Sequence, residues 1–399
     1  MTKSLLGAAL ALALVASDAS ADTGEWRISG FGTIGLVRPS EGDASLLRNG
    51  INTPGRDGVD FGADSVIGLQ AGRNLDSGID VTAQMVVRED QSGNVEPRLA
   101  WAFVRFTPLA DLEFRIGRMR APFFMFSESL WINYANTWVR PPTEVYGLNP
   151  FSDLDGADMM WHSRVAGYDF ELRPYIGRST LERQSRRAKL KRILGVNLSI
   201  YRDDYSLFIG HAESPFSLPW SDPLFLAVDA ALRASPFAAV ADDLSGRDGY
   251  ARFDSVGVQW DNGEYLMSAE YARRAANRYI PSAHGWQLTL GQRMGTVTAY
   301  GVLARQTEDD PVSDADLSAA PPLQGALNLF NASRSTAQKS ATVGARWDFH
   351  RNAAVKLEFT HAKVADDSLG SFFPVDGSGT ILFSGRRINL FSASVDVSF

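Results

Sequence analysis

The strand at the end of the sequence constrains the fold more than any other feature. Residues 388–399 read INLFSASVDVSF, in which apolar and polar side chains alternate. The apolar positions are Phe391, Ala393, Val395, Val397 and Phe399. Such a strand has one face for lipid and one for water. In a membrane its backbone groups are all paired only if neighbouring strands close into a ring. The pattern predicts an all-β fold, a membrane-spanning antiparallel β-barrel.

The N-terminal segment predicts export. Lys3 precedes an apolar stretch from Leu5 to Ala16, and small residues follow up to Ala21, as a signal peptidase requires. We expect residues 1–21 to be a signal peptide and residues 22–399 to form a single barrel domain. The apolar stretch is about half as long as a transmembrane helix, and no later segment is longer or more apolar.

The composition narrows the range of possible functions. The formal net charge of −7 makes nucleic acid an improbable partner, and the absence of cysteine excludes disulfides and thiolate metal sites. A mean hydropathy of −0.13 excludes a helical membrane bundle. The same value suits a barrel whose strands show only half their side chains to lipid.

Period-two segments recur along the chain. In the clearest one, Ile79 to Val87, apolar side chains alternate with Asp80, Thr82, Gln84 and Val86, and Arg88 continues the second set. Counting similar runs gives about sixteen strands. The facing of 98–106 and 295–306 stays open, because both parities are apolar there.

The connections between these runs alternate in length. Tight turns are expected near 74–77, 107–109, 167, 203, 261–264, 293–295 and 350–352. Longer connections are expected near 38–63, 89–97, 119–156, 178–190, 214–250, 275–282, 307–336 and 364–385. A transmembrane barrel has this asymmetry, with short turns at the periplasmic rim and long outer loops. An even strand count follows, with both ends of the barrel at the short-turn rim.

Two segments carry a family resemblance. Residues 64–90, DSVIGLQAGRNLDSGIDVTAQMVVRED, and residues 98–118, RLAWAFVRFTPLADLEFRIGR, are similar to the early strands of general Gram-negative porins. The aromatic residue at the end of the last strand also resembles the closing segment of outer-membrane barrels. The resemblance implies a sixteen-stranded, usually trimeric barrel in the outer membrane that lets small hydrophilic solutes diffuse passively. Residues 122–147 depart from the commonest constriction loop of that family.

A barrel of this size encloses an aqueous channel unless something narrows it. The connection 119–156 is rich in aromatic residues, and its counterpart in porins folds inward, so we expect it to constrict the pore. The alternative is an outer loop packed over the threefold contact of a trimer.

Charged residues near that connection are candidates for pore lining, because opposed charges across a narrow opening select solutes by charge. The candidates are Arg88, Arg115, Arg118, Arg120, Glu128, Arg140, Glu144, Asp153, Asp155, Asp158, Arg164 and Arg173. For each, a solvated wall residue or a local ion pair is the alternative. Strand parity places part of this set in the lumen, together with further charged residues. These lumen positions are Arg88, Arg115, Arg164, Arg173, Arg346, Asp80, Glu113, Asp158, Glu171, Glu270 and Glu358. Neutralising Arg118 and Arg120 is expected to favour cations.

Outside the pore, the segment Leu181 to Arg192 carries six basic residues in a predicted outer loop. It is a candidate for binding lipopolysaccharide phosphates, or else a hydrated loop. Several aromatic residues are expected in girdles at the membrane interfaces. They are Trp26, Trp161, Trp260, Trp286, Trp347 and Tyr271.

Other functions receive less support. The five histidines are dispersed without ligand spacing, so we expect no metal and no cofactor. A barrel enzyme such as a phospholipase would need a His and a Ser two residues apart on one strand face, and no His-x-Ser occurs. A barrel that anchors a surface receptor or adhesin is the remaining alternative.

Overall fold

The computed structural model describes residues 25–46, 58–76, 78–89, 94–183, 186–218, 223–374 and 383–399. The predicted signal peptide, residues 1–21, lies outside the described residues. In the ranges given, no helix has the length and hydropathy needed to cross a bilayer.

Strands dominate the described residues, and their bounds follow in chain order. They are β1 (Trp26–Pro39), β2 (Ala44–Leu46), β3 (Val66–Asp76), β4 (Ile79–Glu89), β5 (Val95–Leu109), β6 (Leu112–Arg120), β7 (Asp153–Val165), β8 (Tyr168–Arg183), β9 (Arg186–Arg202), β10 (Tyr205–Ser217), β11 (Gly249–Asp261), β12 (Tyr265–Ala276), β13 (Ser282–Met294), β14 (Val297–Asp310), β15 (Gln338–His350), β16 (Ala353–Val364), β17 (Phe372–Pro374) and β18 (Arg387–Ser398). The helices are α1 (Thr143–Tyr146), α2 (Pro223–Arg233), α3 (Val240–Leu244) and α4 (Pro321–Arg334), and a 3-10 turn spans Asn133–Ala135.

Sixteen of these strands form one closed antiparallel barrel, and β2 and β17 form a separate two-stranded sheet. The ring closes between β1 and β18, in a register that runs from Phe31 opposite Ser398 to Pro39 opposite Leu390. Gly30 and Phe399 exchange two backbone hydrogen bonds of 2.7 and 2.9 Å at this seam. The predicted fold class and strand number are confirmed.

A glycine is required at position 30 by the packing of the last aromatic ring. A Cβ built on Gly30 would lie 2.3 Å from the ring of Phe399, inside van der Waals contact. The terminal ring therefore occupies the space that a side chain would need, and this closes the barrel tightly.

Side-chain facing follows the strand alternation. In β4, Met85 is 44% exposed on the outward face, whereas Gln84 is 2% exposed on the inward face. Register also fixes the facing left open by the sequence of β5, because Val104 lies opposite the outward Val81 and Phe103 opposite the inward Thr82. Most of the predicted girdle aromatics are exposed on the outward face, namely Trp26, Trp161, Trp286, Trp347 and Tyr271.

Short turns share one rim of the barrel. Ala166 and Gly167 connect β7 to β8 with φ of 52° and 81°, the left-handed conformation that a two-residue hairpin turn needs. The barrel also begins and ends at this rim. Trp26 pairs with Arg73 next to the β3–β4 turn, and the Ser398 amide bonds to Asn352 in the β15–β16 turn.

The opposite rim carries the longer connections. Helices α2, α3 and α4 pack there around a buried apolar cluster that includes Leu232, Leu244 and Phe330. A second cluster lies beneath β2 and β17 and includes Phe372. Both clusters bury side chains that the barrel wall alone would leave exposed.

The predicted outer loop 178–190 is wrong. Strand β8 continues to Arg183 and β9 begins at Arg186, with residues 184–185 outside the described residues. Apolar Ala188 and Leu190 alternate with the cations of this segment and pack on the barrel's main buried cluster. This alternation extends the hairpin as sheet, so most of the basic segment Leu181 to Arg192 is strand.

Candidate functional site: the segment inside the barrel

Residues 121–152, here called the inner segment, connect β6 to β7 and run inside the barrel. Strand β6 pairs with β5 as far as Arg118 and with β7 as far as Arg120, and beyond this point the chain leaves the wall. The lumen-facing side chains of Asn197 and Ser255 each donate a 2.7 Å hydrogen bond to carbonyls at the start of the inner segment. The segment therefore lies in the lumen and not over an outer contact.

One side of the inner segment is bonded to β12 and β13. The carboxylate of Glu270 accepts hydrogen bonds from the Met125 amide at 3.2 Å and the Tyr146 hydroxyl at 2.7 Å. The indole N–H of Trp138 donates to Thr289 at 2.9 Å. Since charge-assisted and fully buried hydrogen bonds are the stronger ones, these contacts fix the segment against this wall.

A buried lysine of β16 also fixes the inner segment. Lys356 donates hydrogen bonds to the carbonyls of Asn133 at 2.6 Å and Trp138 at 2.8 Å, and its ammonium lies 3.0 Å from the carboxylate of Asp396. Both side chains of the pair are 0% exposed. Removing one partner of a buried ion pair costs about 3–5 kcal/mol, because the other charge is left uncompensated. The inner segment is thus bonded to the barrel wall at β12 and β13 and again at β16.

Arg140 and Glu144, both predicted to line the pore, serve as buried attachments instead. Arg140 forms a bidentate ion pair with Asp64 and donates to Ser392 at 2.9 Å. Glu144 is 2% exposed and accepts a 2.7 Å hydrogen bond from Gln338. Both charged groups are bonded to wall residues and are covered by the inner segment, so they are not exposed in the channel.

The remaining face of the inner segment presents Glu128 to two arginines. Its carboxylate lies 2.9 Å from Arg173 and 3.6 Å from Arg115. Both arginines also bind Asp158, at 2.8 and 2.6 Å. The side chain of Glu128 is 55% exposed, whereas that of Asp158 is 0% exposed. Glu128 is therefore the member of this four-charge cluster that meets lumen water.

The environment of Glu128 keeps it ionised. Burial raises the pKa of the carboxyl, but the positive charges of Arg173 and Arg115 and the hydrogen bond from Arg173 lower it by more. The net pKa lies below its ordinary value of 4.5. At neutral pH the cluster holds two positive and two negative charges.

Further charges continue along the same wall. Arg105 lies 3.1 Å from Asp80 and 3.5 Å from Glu113, and Arg27 lies 3.4 Å from Asp80. The side chains of Arg105 and Arg27 are 38% and 51% exposed. Solvent therefore reaches a row of alternating charges on the side of the lumen that the inner segment leaves uncovered.

Cation–π contacts support the inner segment on this side. The Arg88 guanidinium lies 3.8 Å from the ring centroid of Trp131. Arg120 lies 5.8 Å from the same ring and 5.9 Å from that of Trp101, and is only 2% exposed. Each such contact contributes about 0.5–2 kcal/mol, depending on desolvation. The aromatic residues thus hold the segment and do not line open water.

Of the predicted site residues, the structure brings Arg115, Glu128, Asp158 and Arg173 together. Arg118 and Asp155 form a 2.6 Å ion pair with each other but have the outward parity. Arg118 follows Arg115 by three residues, and an odd spacing in a strand reverses the face. The expectation that Arg118 faces the pore is therefore wrong.

Two further candidates lie away from the cluster. Arg164 pairs with Asp169 beside the β7–β8 turn, and its side chain is 75% exposed at the short-turn rim. Asp153 lies 3.3 Å from Arg120 at the start of β7. Neither adds charge to the narrow part of the lumen.

Sequence reasoning missed Lys356, Asp64 and Arg105. Lys356 has the same parity as Glu358, which was assigned to the lumen, so strand parity was a usable signal for it. Arg105 was missed because both parities of residues 98–106 are apolar, which left the facing of β5 open in the sequence. Across the described ranges no group of three or more His, Asp or Glu side chains is arranged to hold a metal ion.

No protein-family model matches the sequence, and no curated protein matches it. Solved structures match over nearly the whole chain. The outer membrane channel DcaP of Acinetobacter baumannii has a TM-score of 0.57 and 11% identity, and the match covers 96% of this chain and 100% of that one.

Two further matches are similar in extent. The anion-selective porin from Comamonas acidovorans has a TM-score of 0.55 and 11% identity, and the match covers 94% of this chain and 100% of that one. Salmonella typhi OmpF, in a complex with daunomycin, has a TM-score of 0.53 and 11% identity over 94% of this chain and 98% of that one. Together with the closed ring of sixteen strands, these matches show that the chain has the fold of the outer-membrane porins.

Proposed function

We propose that this protein is an outer-membrane porin through which small hydrophilic solutes and ions diffuse passively. The inner segment narrows the channel, and solutes pass along the exposed side of Glu128, whose carboxylate is ion-paired with Arg173 and Arg115 on the wall. In this proposal the chain reaches the outer membrane by means of the signal peptide 1–21 and assembles as a homotrimer. No bond chemistry is involved.

One observation carries the proposal: Glu128 projects from the inner segment toward two arginines and remains 55% exposed. An ion-paired carboxylate in a filled core would be covered, as Asp158 is at 0% exposure. A charged side chain exposed to water at a constriction is the arrangement that screens solutes in pores. Two structures with a similar fold, an outer membrane channel and an anion-selective porin, support the same class of function.

The test is insertion of the purified full-length protein into a planar bilayer. A porin gives stable ohmic steps, and a trimer gives them in groups of three. Electrically silent insertion, with barrel folding verified by circular dichroism, would contradict the proposal and favour a receptor anchor. Release of fatty acids from phospholipid vesicles, measured in parallel, would favour the barrel enzyme.

Liposome swelling adds a measurement with uncharged solutes. Vesicles that contain the protein should swell in small sugars, at rates that fall as the sugar becomes larger. If all sugars were excluded equally while conductance steps were still observed in the planar bilayer, the proposed channel would conduct ions only.

A further inference from the structure

A small cavity lies where the two ends of the inner segment meet. The Ala121 amide donates a 2.9 Å hydrogen bond to the carbonyl of Ser152, which joins the first and last residues of the segment. Both residues also line a cavity, whose other lining residues lie within 120–130 and 146–151. It leaves the centre of a water-sized particle about 10 Å³, which is room for a single occupant. We call it the junction cavity.

Arg120 is the one charged residue among the described residues that line the junction cavity. Its side chain is 2% exposed, and its Nε has no hydrogen-bond partner within the described part of the chain. Its Nη1 donates to Asp153 over a long 3.3 Å. Arg115 differs, because its Nε and Nη2 bind both carboxylate oxygens of Asp158, at 3.0 and 2.6 Å. Arg120 is thus buried with its hydrogen-bonding capacity only partly used.

The protein cannot relieve this situation by removing the charge. A guanidinium stays protonated in proteins, so Arg120 remains a cation whatever its surroundings. A buried charge is costly unless it is paired and hydrogen-bonded. The rings of Trp131 and Trp101 lie 5.8 and 5.9 Å from the guanidinium, close to the limit of a useful cation–π contact. What Arg120 lacks is a hydrogen-bond acceptor, preferably a negative one.

The rest of the lining supplies further donors and apolar contacts. Ser127 Oγ accepts a 2.9 Å hydrogen bond from the Phe124 amide, so its own O–H is left to donate. Asn149 Oδ1 accepts a 3.1 Å hydrogen bond from the Phe151 amide, so the side-chain N–H groups of Asn149 are left to donate. The described lining includes no carboxylate, and apolar side chains such as Leu130 complete it. A fixed positive charge with neutral donors and apolar walls suits a weakly hydrated anion and repels a cation.

We propose that the junction cavity binds one halide ion, chloride in ordinary salt solutions, through Arg120 with Ser127 as a second donor. The size of the cavity restricts the occupant to a monatomic ion or one water molecule. The charge of Arg120 favours the ion, because hydrogen bonds between ionised partners are roughly twice as strong as neutral ones. The bound halide joins the two ends of the inner segment to each other. This inference does not depend on the proposed passage of solutes.

The first test is equilibrium dialysis of the full-length protein in neutral detergent against radiolabelled chloride, with sodium gluconate added to keep the ionic strength constant. Wild type should bind one chloride per chain in a saturable manner. Ser127→Ala should bind it about tenfold more weakly, from the usual contribution of a hydrogen bond to a charged group. Arg120→Gln should not bind it. The control Arg118→Gln removes an arginine of outward parity two residues earlier and should bind like wild type.

The second test uses folding and crystallography, and it covers the case that Arg120→Gln does not fold. Gluconate is too large for the junction cavity, so replacing chloride by gluconate should lower the unfolding temperature of wild type. Ser127→Ala should respond less to the same exchange, because it binds chloride more weakly. In crystals soaked in bromide, wild type should show an anomalous scattering peak within hydrogen-bond distance of Arg120 Nε.

Several results would overturn the proposal. If wild type bound no chloride in a saturable manner, the occupant of the cavity would be a water molecule. Equal binding by wild type and Ser127→Ala, or an equal loss in Arg118→Gln, would contradict the assigned donors. A bromide peak found only beside Arg115 and Arg173 would place the anion in the channel instead. The proposed channel function is tested separately by conductance, so its failure would be distinguishable from failure of halide binding.

Discussion

Replacing Glu128 by Gln tests the electrostatics of the channel most directly. The substitution keeps the size of the side chain but removes the one well-exposed negative charge of the four-charge cluster. Arg115 and Arg173 then outnumber Asp158, so the net charge of the cluster changes from zero to +1. We expect ion selectivity to shift toward anions.

The magnitude follows from the geometry. An ion passing about 4 Å from a unit charge in a water-like medium gains or loses about 1 kcal/mol. Screening over a Debye length of about 10 Å in 0.1 M salt reduces this to about 0.7 kcal/mol, a factor of about three in partition. Cations and anions respond in opposite directions. The anion-to-cation permeability ratio should therefore rise by roughly threefold to tenfold.

The assay is the reversal potential across a planar bilayer in a salt gradient. Glu213→Gln is the matched control, because Glu213 pairs with Arg252 on the outward face and cannot meet a permeating ion. An unchanged reversal potential in the Glu128 variant, or an equal shift in the control, would refute the assignment of Glu128 to the channel.

The same residue gives a pH dependence. The folded-state pKa of Glu128 is lowered, so the contact with the arginines stabilises the protein at pH above the ordinary value of 4.5. That contribution is lost as the pH falls through the lower, folded-state pKa. Wild-type selectivity should stay constant from neutral pH to about 4.5 and shift toward anions only below it, and the Gln variant should lack this step.

Three further predictions concern closure, anchoring and facing. Gly30→Ala should lower the temperature at which the barrel loses its folded mobility on gels, while Gly32→Ala, whose Cβ would meet its nearest neighbour at 3.4 Å, should not. Lys356→Met should destabilise the protein by about 3–5 kcal/mol. It should also make single-channel currents noisier and larger. The control Lys363→Met, on the outer face of the same strand, should leave the currents unchanged. Arg118→Gln should leave the reversal potential unchanged, since its side chain has the outward parity, and a shift toward cations would contradict that facing.

Much of the fold could be predicted from the sequence because the signals are local. Alternation with period two reports that a strand has one lipid face and one water face, and the run from Ile79 to Val87 shows it without reference to any other strand. The alternation of short and long connections predicted which rim of the barrel carries the short turns and which carries the long loops. The hairpin of β8 and β9 was misjudged because charged side chains hid the apolar positions Ala188 and Leu190.

The candidate site was predicted only in part, since several assignments require a partner from a distant strand. Parity within β6 was enough to place Arg115 in the lumen, and the same rule should have excluded Arg118. Arg140 differs, because its role depends on Asp64, which lies 76 residues earlier in the chain. A single sequence contains no local trace of that pairing.

The sequence by itself therefore determined the barrel, its approximate strand number, its two rims and the facing of most wall residues. These properties follow from alternation and turn chemistry, which act over a few residues. Only the tertiary structure decided which charges meet. The inner segment is attached to the wall by Glu270 of β12 and Lys356 of β16, and this attachment leaves Glu128 as the charge in water. Electrostatic pairing depends on distances across the lumen, and only the closed ring fixes those distances.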